Sequence, residues 1–92
     1  MQKIIVKVIN DVGLHARPAA IFVQRSKVYS SSIMVRNVTR NSQFVDAKSI
    51  LSILTLGVEQ GHEIELEIEG EDEVQAADAF KELVETGFNS YL

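Results

Sequence analysis

The 92-residue chain contains no cysteine, which excludes a disulfide framework, thiolate catalysis and a Cys-ligated metal site. Its two histidines, His15 and His62, are far apart in sequence, so neither a histidine-rich metal cluster nor any metal cofactor is expected. No uninterrupted apolar run approaches the ~20 residues of a membrane-spanning helix. The chain opens on alternating residues rather than on an apolar leader with a small-residue cleavage site. A Ser/His/Asp triad pattern and a phosphate-binding glycine loop are both missing, as are repeats, linkers and low-complexity tracts. These absences leave a soluble cytoplasmic protein, one domain over residues 1–92, with no cofactor and no membrane insertion.

Charge is scarce on one side of the chain and crowded on the other. Residues 1–58 carry eight Lys/Arg against two acids, a net of +6, whereas residues 59–92 carry eleven acids against Lys81, a net of −10. The overall charge of −4 argues against nucleic acid as a partner. A local positive patch in the first half suits a small anion or an acidic protein surface.

The apolar pattern predicts seven elements. Residues 2–9 alternate, with Ile4, Val6 and Val8 on one face and Lys3, Ile5 and Lys7 on the other, as in a strand with one buried side. A helix is expected from about Ala16 to Lys27, with Ala19, Ala20, Phe22 and Val23 as its apolar stripe. Short strands are expected over 33–38 and 43–45, joined by Thr39-Arg40-Asn41-Ser42, with no glycine to define the turn. Ser49 and Gly57 bracket a short helix. Residues 62–69 alternate strictly, Ile64, Leu66 and Ile68 facing away from Glu63, Glu65, Glu67 and Glu69; a solvated sheet face explains the glutamates better than catalysis does. Asp72 and Gln75 resemble a capping pair before a last helix over 73–86, whose core positions are Val74, Ala77, Phe80, Leu83 and Val84. The order β-α-β-β-α-β-α calls for an α+β open-faced β-sandwich: a four-stranded antiparallel sheet covered on one face by three helices.

Two positions carry chemistry. Gly13-Leu14-His15-Ala16-Arg17-Pro18-Ala19-Ala20 sets a histidine at the start of a helix marked by the chain's single proline. Unpaired N–H groups there favour an anion, and a guanidinium can grip the same anion. A nucleophilic imidazole so placed is suited to accept a phosphoryl group, although a histidine at a helix start also serves simply as a cap or a surface residue. Ser49 sits at the N-cap of the second helix, where its hydroxyl has a structural reason to be; phosphorylation there would place charge beside Ile50, Leu51 and Leu54.

On Gly13-Leu14-His15-Ala16-Arg17-Pro18-Ala19 and Ala47-Lys48-Ser49-Ile50-Leu51, followed by Leu56-Gly57, the chain resembles the HPr family, the histidine-containing phosphocarriers of the bacterial sugar phosphotransferase system. The resemblance runs nearly end to end and implies that His15 is phosphorylated on Nδ1 by enzyme I, phosphoenolpyruvate being the ultimate donor. The phosphoryl group would pass to enzyme IIA of a sugar permease. Arg17 would hold the phosphate and meet acidic partner residues, and the backbone N–H groups of Ala16 and Arg17 would bind the anion. Ser49 would be the target of an HPr kinase/phosphorylase, its phosphorylated form a corepressor with a catabolite control protein. Partners would dock on Ile50, Leu51 and Leu54, flanked by Gln24 and Lys27, and the carrier would be a monomer.

Three positions depart from that pattern. Val12 stands where a small polar residue is frequent, Ser52 where glycine is, and the segment 35–44 is longer, so the second hairpin is expected to protrude. A regulatory or nitrogen-branch paralogue fits the same residues. So does a small non-catalytic α+β interaction domain in which His15 only caps a helix.

Overall fold

Strict alternation places two segments side by side. In the computed structural model, which describes residues 1–89, β1 (Gln2–Lys7) pairs antiparallel with β4 (Glu63–Glu69), Ile4 opposite Leu66 and Val6 opposite Ile64. The last three positions of the 1–92 domain lie outside the described residues. On its other edge β4 pairs with β2 (Ser32–Asn37), and β2 pairs with β3 (Val45–Asp46), giving the all-antiparallel order β1-β4-β2-β3. Helices α1 (Ala16–Val28), α2 (Ile50–Thr55) and α3 (Glu73–Glu85) complete the expected order.

Each strand buries one parity. Val6, Ile33, Val35, Ile64, Leu66 and Ile68 join Phe22 of α1 and Phe80, Leu83 and Val84 of α3 in one core. The Phe22 and Phe80 ring centroids lie 4.9 Å apart at 55°, a tilted contact that ties the two long helices together. The opposite parity of β4 carries its glutamates to the open face, where basic residues of both neighbouring strands meet them. Lys3 lies 3.5 Å from Glu67, and Arg36 Nε lies 2.8 Å from Glu65. The glutamates thus form cross-strand pairs on a wet face, in keeping with the sequence pattern.

Several local expectations need correction. Ala20 and Val74 are exposed rather than core, Val74 at 54%, because the buried face of each helix is centred elsewhere; Ser26 in α1 and Ala76 in α3 occupy the positions towards the core. Asp72 is the N-cap residue of α3 but makes no side-chain cap. Its Oδ2 accepts from Ser30 N at 2.9 Å and its Oδ1 from Ser31 N at 3.0 Å and from the Ser31 hydroxyl. These donors hold the carboxyl down at about 2, the Ser31 hydroxyl contributing most and the Ser30 backbone next. Glu73 takes over local closure, accepting from Gly70 N at 3.1 Å.

β3 is only two residues long, and the connection before it is anchored to residues around the start of β4. Asn41 supplies the positive φ, 53°, that no glycine provides. Residues 38–42 are tied back by Val38 N to Glu63 O at 2.9 Å, Thr39 Oγ1 accepting from Glu63 N at 2.9 Å, and Arg40 Nη2 to Glu59 at 2.7 Å. Two of the three anchors are on Glu63, the first residue of β4, and the third is on Glu59 just before it.

Candidate functional site

The loop between β1 and α1 is shaped by its own turn and by one distant carbonyl. Gly13 N donates to Asn10 O at 3.1 Å, and Asn10 Nδ2 donates back to Gly13 O at 2.7 Å. Gly13, at φ 62°, lies so close to the Val58 carbonyl and Glu59 Cα that no Cβ fits. Leu14 is wholly buried, and its N–H donates to Val58 O at 3.0 Å. With Leu14 on one side and Pro18 on the other both buried, the backbone between them is pushed outward.

His15 occupies that outward bend. It is the N-cap residue of α1, extended at φ −124° and ψ 163°, half-buried, and makes no side-chain cap. Ala16 then adopts φ 53°, a left-handed conformation costing an L-residue roughly 1–2 kcal/mol. Arg17 is exposed, and the first turn of α1 contains no acid. The helix start therefore presents backbone N–H groups of Ala16 and Arg17, a guanidinium and an imidazole without a competing carboxylate. That arrangement suits an anion attached to, or arriving at, His15. Val12, 46% exposed, puts an apolar side chain two residues before Leu14.

Helix α2 packs against α1, and two polar contacts set their junction. Ser26 Oγ, fully buried, lies 2.7 Å from Val23 O and 2.9 Å from Ala47 O. Lys48 Nζ donates to Tyr29 O at 2.9 Å. Ser49 caps α2 as expected, its Oγ accepting from Ser52 N at 3.3 Å. Ile53 turns into the core while Ile50, Leu51 and Leu54 are 42%, 73% and 40% exposed. Gln24 and Lys27 are exposed on the adjoining α1, and Gln24 lines a groove of about 350 Å³ with Ile21, Arg25 and Val28. The apolar and polar members of the expected docking surface thus lie on two neighbouring helices.

Asn37 and His62 were not singled out from the sequence. Asn37 is fully buried on the inward parity of β2; its Nδ2 donates to Leu56 O at 3.1 Å and lies 3.1 Å from His62 Nδ1, while its Oδ1 accepts from Arg40 N at 3.2 Å. The available signal was parity: an asparagine two residues after Val35 falls where the strand demands a buried side chain. Among the described residues no group of His, Cys, Asp and Glu could hold a metal ion, and no helix is long and apolar enough to cross a membrane.

Comparison with known proteins identifies the family and the fold. The family model PTS-HPr, described as the PTS HPr component phosphorylation site, matches residues 2–86. The chain is 41% identical over 83 residues to phosphocarrier protein HPr of Treponema pallidum (strain Nichols), a match covering 90% of this chain and 91% of that protein. It is 45% identical over 78 residues to the multiphosphoryl transfer protein of Haemophilus influenzae, covering 85% of this chain and only 16% of that longer protein. The crystal structure of HPr-C-His from Thermoanaerobacter tengcongensis aligns with a TM-score of 0.91 at 42% identity, covering 100% of both chains. With the family pattern matched across nearly its whole length, the chain belongs to the HPr family of phosphotransferase-system components.

Proposed function

We infer that the chain is a phosphocarrier that accepts a phosphoryl group from enzyme I on His15 Nδ1 and hands it to enzyme IIA of a sugar permease in the cytoplasm. The observation that carries this reading is the half-buried, uncapping His15 at a helix start with Arg17 exposed beside it. The imidazole lone pair attacks phosphorus, and the bond from phosphorus to the donor breaks with its electron pair leaving on the donor. Onward transfer is the same displacement with the acceptor as nucleophile. The N–H groups of Ala16 and Arg17 and the Arg17 guanidinium stabilise the phosphate on the carrier. A helix terminus typically contributes only ~0.3–1 kcal/mol to a nearby anion, a scale suited to a relay that must release what it receives.

Ile50, Leu51 and Leu54, with Gln24 and Lys27, form the surface on which donor and acceptor dock in turn, and a monomer leaves that surface free. Ser49 is the regulatory site, modified by an HPr kinase/phosphorylase and read by a catabolite control protein. Its position as an N-cap supports this role, because phosphate at a helix start leaves acceptor oxygens for the Ser52 N–H.

The test is intact-mass spectrometry after incubation with phosphoenolpyruvate, Mg²⁺ and enzyme I, kept at neutral to alkaline pH because phosphohistidine is lost in acid. One acid-labile phosphate on the wild type and none on His15→Ala is the expected result. No phosphate on the wild type, with an established HPr charged alongside, overturns the reading in favour of an interaction domain.

A further inference from the structure

We propose that His62 is a positioning residue for the His15 loop, acting as a hydrogen-bond acceptor through an unprotonated Nδ1; the role rests on the phosphocarrier reading of His15. The orientation of the Asn37 amide is determined by its partners. Leu56 O can only accept, so it faces Nδ2, and Arg40 N can only donate, so it faces Oδ1. The second Nδ2 hydrogen is therefore available to His62 Nδ1, 3.1 Å away, and Glu59 N donates to that same nitrogen at 3.1 Å. Two N–H donors on one ring nitrogen leave no place for a proton on it, so the ring proton sits on Nε2.

Those two bonds shape residues 56–62, and the His15 loop hangs on that segment. His62 N closes the turn onto Glu59 O at 3.0 Å, Gly61 N donates to Val8 O at 2.7 Å, and Val58 O receives Leu14 N at 3.0 Å. Gly13 rests directly on the Val58–Glu59 backbone. Leu14 is the residue before His15, so a shift of Val58 is passed to His15 through the Leu14 N–H and the short stretch of backbone that follows it. Asn37 supplies the fixed point beneath, wholly enclosed at the end of β2. His62 touches neither His15 nor a transferred group; it holds the backbone that holds His15.

The experiment compares wild type, His62→Ala and His62→Asn, because the asparagine Oδ1 can replace the imidazole Nδ1 as acceptor. Amide hydrogen exchange at Leu14 reads the loop directly, and kcat/KM for phosphoryl acceptance from enzyme I reads its consequence. His62→Ala removes both bonds to Nδ1 and is expected to accelerate Leu14 exchange and, with part of that loss passed on to His15, to lower kcat/KM roughly five- to tenfold, while His62→Asn restores both readouts. Unchanged Leu14 exchange in His62→Ala, or His62→Asn no better than His62→Ala, overturns the proposal. Long-range ¹H–¹⁵N NMR on the wild type decides independently of whether a variant folds: a bare Nδ1 supports the role, and a protonated Nδ1 overturns it. If the wild type takes no phosphate, it is the phosphocarrier reading that fails; exchange and tautomer still report whether His62 holds the loop.

Discussion

The Ser26 hydroxyl lies 2.9 Å from the Ala47 carbonyl, linking the last turn of α1 to the turn before α2. Both residues are fully buried, so the link is shielded from water, and its one competitor for the hydroxyl proton is the Val23 carbonyl of the same helix at 2.7 Å. Removing it leaves a buried carbonyl without its partner. Ser26→Ala is expected to cost about 1–2 kcal/mol, seen as a lower urea midpoint with an unchanged slope. An unaltered midpoint would show that the Ser26 contact contributes nothing net to the junction of the two helices.

Arg17→Ala separates grip from nucleophile. The side chain is exposed, so stability should stay within about 0.5 kcal/mol of wild type. Phosphoryl acceptance should slow by roughly 10–100-fold, the worth of a hydrogen bond to a charged group, without being abolished. An unchanged rapid-quench rate removes Arg17 from the site.

Gly13 and Ala16 both have positive φ but should respond oppositely to exchange. Gly13→Ala forces a Cβ into the Val58 carbonyl and is expected to cost at least about 2 kcal/mol. Ala16→Gly relieves a left-handed L-residue, and after the added freedom of the unfolded chain a gain of about 0.5–1 kcal/mol remains. Thermal unfolding of the two variants reads the signs directly.

Asp72 sets an acid limit to stability. Its carboxyl is lowered from 3.8 to about 2, first by the Ser31 hydroxyl and then by the Ser30 backbone. A depressed folded-state value means its contribution is fully present above about pH 4 and is lost as pH falls through about 2. Asp72→Asn should flatten the unfolding midpoint across that window, measured by urea titration at stepped pH. A steep dependence surviving in the variant would assign the acid limit to other carboxylates.

The sheet and the Ser49 cap are legible in the sequence because a single short-range rule decides each. Alternation over 62–69 gave both the strand and its wet face, and Ser49 with Gly57 gave the limits of α2. Failures came where a distant partner competes with a local one. Asp72 has the spacing of a capping box, but residues more than forty positions away offer its carboxylate four donors. Val74 fits a helical repeat loosely, yet it lies roughly a third of a turn from the face centred on Phe80. The anchoring of residues 38–40 has no sequence signal, because its partners, Glu59 and Glu63, belong to another part of the chain. Asn37 and His62 escaped notice for the same reason: neither shows a motif until β2 and the segment before β4 are brought together.

The central place of β4 orders events during synthesis. Neither β1 nor β2 has its main partner until residues 63–69 have been made, because each pairs with β4 and not with the other. The Val58 carbonyl that fixes Leu14 lies just upstream of that strand. A ribosome-bound chain that has already exposed His15 therefore lacks the contacts that shape its loop until residues 58–69 have emerged. The loop that carries His15 is thus shaped by residues synthesised some forty positions after it.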